Sequence, residues 1–223
     1  MKPLFLVFFF FAIFLFNGCL SLDDIYGSDM NDDDNQFSNN SSHNEKVIQN
    51  TISKFLGIKY NQSVVIDGVN VRVDCIGLII GAYSLLGIDI TQDFHKYGGN
   101  GVSRLYHSLM DRNLLHRQHP KVGDVIFWDN TWDRNGDGIL NNDPLTHAGL
   151  VLSVSDDGLI EFAHAHYTRG VVIEYMNLSK PDVYRDADGK VINSIMFLNA
   201  TPKSRPENWL TGQLLNKYGR IEF

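Results

Sequence analysis

The sequence predicts an α+β domain in which N-terminal helices pack on an antiparallel β-sheet. Three observations lead there. Apolar residues fall at helical spacing up to about residue 115, and short β-prone runs separated by turn residues follow from 120 to 198. Within the helical part lies Cys75 to Leu86, apolar on nearly every side, which as a helix must be covered all round and so needs a sheet to lie against. No internal repeat interrupts this order.

The elements follow in sequence. Lys46 to Leu56 places Val47, Ile48, Ile52, Phe55 and Leu56 on one helical stripe, with Gly57 as its stop. Val64 to Val73 has an Asp67-Gly68 turn between β-prone runs, a short-range hairpin signal. Asp74 then suits the N-cap of the helix opening at Cys75, and Gly87 closes it. Ile88 to Gly99 reads as irregular and Val102 to Leu115 as helical. The turn Pro120 to Asp124 leads into a strand at Val125 to Trp128. Strands are further expected at His147 to Ser153, Leu159 to His166, Gly170 to Glu174 and Ile192 to Leu198, with a loop over 176–190 and a short helix over Thr211 to Tyr218.

The N-terminus reads as an export signal. Lys2 is followed by the apolar run Leu4 to Phe16, shorter than the roughly 20 residues a membrane-spanning helix needs, and then by Asn17-Gly18-Cys19. A small residue before a cysteine resembles the bacterial lipobox, in which the signal is removed and the new terminal cysteine acylated; an ordinary secretory signal is the simpler alternative. The expectation is a signal peptide over 1–18, lipidation at Cys19, and a tether over 19–45 rich in Asp, Asn and Ser, followed by a domain over 46–223. That places the protein at a bacterial cell envelope, exported and lipid-anchored. A formal charge of −7 argues against nucleic acid or an anionic membrane surface as the main partner, since both select basic patches.

With Cys19 committed to lipid, Cys75 is left as an unpaired thiol in an exported protein. At the first turn of a helix, free N–H groups and the dipole favour the thiolate and are expected to lower its pKa. A buried structural cysteine is the alternative. The nucleophile needs a base, and the histidines at the start of one strand (His147) and on the next (His164, His166) supply candidates. Strand alternation gives His164 and His166 the same face, so either is able to orient His147. His43, His95, His107, His116 and His119 are expected to be solvated.

In order, the chain holds Asp74-Cys75-Ile76-Gly77, Gly123-Asp124-Val125-Ile126-Phe127, His147-Ala148-Gly149-Leu150-Val151 and Phe162-Ala163-His164-Ala165. This succession, over roughly residues 45–198, resembles the NlpC-type cell-wall cysteine peptidases. The related CHAP amidases share the Gly-Asp and His-x-Gly strands. The resemblance implies a papain-like fold and a Cys75–His147–His164 triad. It also implies peptidoglycan stem peptides as substrate, cut between γ-D-glutamate and the diamino acid, a pocket lined by Asp74 and Tyr60, and no metal in the chemistry. Two positions depart from the family: Ile76 stands where a serine is usual, and the hairpin at Asp67-Gly68 replaces an upstream Gly-Gly element.

The insertion before His147, Asp133-Arg134-Asn135-Gly136-Asp137-Gly138-Ile139, resembles an EF-hand-type calcium loop. Asp133, Asn135 and Asp137 would bind through side chains and Ile139 through its carbonyl, with Asn141 or Asp143 completing the shell. Pro144 stands where the closing glutamate belongs, so a modest affinity is expected, and a plain polar turn is the alternative. Two readings compete with a stem-peptide peptidase: a CHAP-type amidase, and a non-catalytic calcium-binding surface lipoprotein.

Overall fold

A computed structural model describes residues 43 and 45–222. The expected signal peptide over 1–18, the expected lipidation site Cys19 and nearly all of the expected tether over 19–45 lie outside the described residues. Among the described residues no helix is long and apolar enough to cross a membrane.

Helix α1 occupies 45–53 and buries Ile48, Thr51 and Ile52, with Phe55 just beyond it. It stops short of the expected Leu56, whose side chain is exposed, and the Gly57 N–H then donates to Val171 O at 2.9 Å. The hairpin forms as expected, β1 (Gln62–Ile66) pairing antiparallel with β2 (Val69–Val73). Helix α2 (Cys75–Leu85) begins at once, because Oδ1 of Asp74 accepts from the N–H groups of Ile76 at 3.1 Å and Gly77 at 2.7 Å. The start is tight. A Cβ at residue 77 would stand 1.8 Å from the Arg72 carbonyl oxygen, so only glycine lets the helix leave the hairpin so closely. Helix α3 (Gly101–Asp111) is capped by Asn100 and ends four residues before the expected Leu115, which belongs instead to a short strand.

Six strands make one antiparallel sheet: β3 (Leu115–His116), β4 (Val125–Trp128), β5 (His147–Val154), β6 (Leu159–His166), β7 (Gly170–Asn177) and β8 (Leu215–Gly219), in the spatial order β3-β8-β4-β5-β6-β7. The α+β class and the β4-to-β7 meander follow the sequence reading. Three elements do not. Strand β7 extends to Asn177, past the expected Glu174. Residues 192–198 form no strand, only the isolated bridge Ile195↔Leu210. Residues 215–219, of which 215–218 were expected in a helix, form β8 inside the sheet between β3 and β4. The apolar Leu214, just before it, and its Leu215 and Tyr218 fit helical spacing, but the gap beside β4 provides the backbone partners that decide the matter.

Each face of the sheet is covered. On one, Val125, Phe127, Ala148, Leu150 and Ala163 pack with α1, α2 and α3; on the other, Ile126, Trp128, Val151, Phe162 and Met176 pack with Leu214, Tyr218 and Met196.

Candidate active site

Strand alternation decides where the histidines stand. His147 shares its face with Val151, and His164 shares its face with Phe162, so both lie on the side of the second core, away from α2. Cys75 and His147 meet instead at the end of the sheet, where α2, β5, β6 and β7 open onto one cleft of about 1010 Å³ lined from both layers. Continuing the register Leu150↔Ala163 sets His147 opposite His166 and diagonal to His164. The diagonal contact is the one that forms, with His147 Nε2 and His164 Nδ1 2.8 Å apart. His166 turns its Nδ1 to the N–H groups of Thr168 and Arg169 and stabilises the β6–β7 turn.

Beyond His164 lies a residue that sequence reasoning had treated only as the end of a strand. Glu174 Oε2 stands 2.9 Å from His164 Nε2, and Arg169 pairs with Oε1 of the same carboxylate. The β6–β7 register, Phe162↔Glu174 and His164↔Val172, places Glu174 diagonal to His164 on the same face. The only advance signal was the period-two spacing of Val172 and Glu174.

This chain fixes the protons. A carboxylate only accepts, so His164 donates from Nε2 to Glu174. Where His164 accepts at Nδ1, His147 donates from Nε2, which leaves Nδ1 of His147 as a bare lone pair. Burial would raise the Glu174 pKa, but the His164 hydrogen bond and the Arg169 charge hold it below the usual glutamate value. Burial, with His164 and His166 nearby, holds His147 well below its ordinary 6.5, so it is neutral at pH 7.

Cys75 is a free, half-buried thiol at the first position of α2. The helix start does not make it a thiolate. Burial first and the Asp74 charge second push its pKa up to about 12, against the pull of the N–H groups of Ile76, Ala148 and Cys75 itself. The expectation of a lowered pKa is therefore corrected. The Ala148 interaction places the sulfur beside the residue that follows His147. Among the described residues no hydrogen bond joins the thiol to His147, whereas His147, His164 and Glu174 form one hydrogen-bonded run.

Tyr60 and Asp74 line the same cleft. Tyr60 packs on Tyr167 with ring centroids 5.5 Å apart, and burial, then Cys75 and Asp74, push its phenol up to about 12, so it remains a donor. Across the opening stand Trp132 and residues 194–200.

The remaining candidates lie elsewhere. In the insertion, Asp133 accepts from the N–H groups of Gly136 (2.7 Å) and Gly138 (2.9 Å), and Asp137 from that of Ile139 (2.7 Å). Asn141 is exposed, Asn142 reaches Asp137, and Asp143 is buried. Of the histidines expected to be solvated, His43, His95 and His119 are exposed. His107 Nδ1 donates to the Ser103 carbonyl, and His116 stacks on Tyr218 beside the Asp124–Arg220 pair.

No protein-family model, no curated protein and no solved structure matches the chain.

Proposed function

We propose that the protein is a papain-like cysteine peptidase of the NlpC type that hydrolyses peptide bonds of peptidoglycan stem peptides at the cell envelope. One observation supports this most: a histidine with a bare Nδ1, held in that tautomer by His164 and Glu174, lines the same cleft as a free thiol at a helix start. The substrate class rests on the resemblance of the four motifs.

Both partners rest neutral, so attack proceeds by general-base catalysis rather than from a stored thiolate. The Cys75 S–H proton passes to His147 Nδ1 as the S–C bond forms at the scissile carbonyl. The oxyanion falls to the N–H of Cys75, since Oδ1 of Asp74 already takes those of Ile76 and Gly77. His147 then protonates the leaving amine as the C–N bond breaks. A water that gives its proton to His147 attacks the thioester, releasing the acid and restoring the thiol. The carboxylate of Asp74 and the phenol of Tyr60 are suited to an ammonium group on the substrate.

Mass analysis of muropeptides incubated with the full chain tests the proposal. Fragments divided between γ-D-glutamate and the diamino acid are expected. Division at the sugar–peptide junction would point to the amidase reading, and intact muropeptides would overturn hydrolysis altogether.

A further inference from the structure

Asp143 is 1 % exposed, and its Oδ2 has no hydrogen-bond partner. Among the described residues two other buried polar atoms share that condition, His116 Nε2 and the Tyr218 hydroxyl, but these belong to one cluster in which His116 Nε2 lies 3.1 Å from the Asp124 carboxylate. Asp143 has no ion pair within the described residues. Aspartate is rarely buried in this way without a cation, because removing a charged oxygen from water is strongly unfavourable.

The Asp143 carboxylate faces the insertion. Its Oδ1 accepts from the N–H of Asn135 at 3.2 Å, while its backbone is tied to Asn130 just after β4. The same insertion carries the side-chain oxygens of Asp133, Asn135 and Asp137 at positions 1, 3 and 5, and Gly138 at position 6 with φ of +81°, a conformation a side chain would strain. The carboxylates of Asp133 and Asp137 cap N–H groups of their own loop, and each oxygen so used keeps a second lone pair. Among the described residues no three acidic, histidine or cysteine side chains converge on one point. Binding therefore requires the loop to draw in.

We propose that this loop is a calcium site. Its shell is formed by Asp133, Asn135, Asp137, the carbonyl of Ile139 and the unpartnered oxygen of Asp143; the exposed Asn141 is left outside it. The donors are all oxygen, which suits a hard cation, and the irregular geometry suits calcium better than magnesium, which demands a near-ideal octahedron. A buried carboxylate from position 11 replaces the glutamate missing at position 12. The proposal uses no atom of Cys75, His147 or His164, so it stands or falls apart from the peptidase reading.

Terbium luminescence on the full chain tests it, because Trp132, next to Asp133, is placed to sensitise a bound lanthanide. Saturable emission, displaced by calcium with a dissociation constant on the order of 10⁻⁴–10⁻³ M and far less by magnesium, is expected. Asp143→Asn and the exposed Asp137→Asn should each weaken calcium about tenfold or more; the second does so without touching the core. Absence of saturable binding in the native chain, or equal displacement by magnesium, would overturn the proposal. Full retention of affinity in Asp143→Asn while Asp137→Asn loses it would overturn the role given to the buried oxygen.

Discussion

The run His147–His164–Glu174–Arg169 and the carboxylate of Asp143 are both polar groups withdrawn from water, within one strand connection of each other, and their surroundings differ. In the first, each atom facing inward finds a partner: 2.8 Å between the histidines, 2.9 Å from His164 to Glu174, and an ion pair to Arg169 at the surface. In the second, one oxygen finds none. A satisfied run fixes one tautomer and one geometry without outside help, whereas an unsatisfied carboxylate stores a demand for charge. The first is built like a preorganised catalytic base and the second like a site that waits for an ion.

Breaking the first region should have the larger effects. His147→Ala removes the base and should lower kcat by about 10²–10⁴-fold, measured on a soluble stem peptide. Glu174→Gln keeps the shape but presents an amide to His164 and unpairs Arg169. A loss of about 10–100-fold, mostly in kcat, is expected, and an unchanged kcat would show that the tautomer is held without it.

The pH profile sharpens the same point. His147 in the folded protein protonates only well below 6.5, so its basic form persists into mild acid and the acid limb of kcat/KM should lie well under 6.5. For stability the sign is unfavourable. As pH falls below about 6.5 the unfolded chain binds a proton at this residue that the folded chain refuses, so unfolding becomes easier, and Tm should drop between pH 7 and pH 5.

Gly77→Ala should cost about 1–3 kcal/mol by driving a Cβ against the Arg72 carbonyl, read as a lower Tm. The smallest effect separates the two regions most cleanly. In chelator, Asp143→Asn should change stability by no more than about 0.5 kcal/mol or raise it, since it deletes a buried charge that has no ion pair, whereas Glu174→Gln should lower it.

Much of this was legible in the sequence, for local reasons. The Asp67-Gly68 hairpin, the Asp74 cap and the start of α2 at Cys75 depend on neighbours in the chain, and the strands at 125, 147 and 159 announce themselves by composition. What depended on register was not legible. The residues alone left His164 and His166 open and only the resemblance named His164; choosing between them physically needed the β5–β6 pairing, and that ladder contains an irregularity between Val151 and Ser153 that no turn residue betrays. Glu174 required the β6–β7 register as well. Strand β8 was misread because its apolar spacing fits a helix and only the space beside β4 makes it a strand. The thiol was misread because the helix start was weighed without the burial and the Asp74 charge that oppose it.

The central claim is that Cys75 is the nucleophile, and the most direct measurement compares peptidoglycan digestion by the native full chain and by Cys75→Ala at equal concentration, with fragments identified by mass. The account predicts stem-peptide cleavage by the first and a loss of at least about a thousandfold in the second. Equal cleavage by both would contradict it.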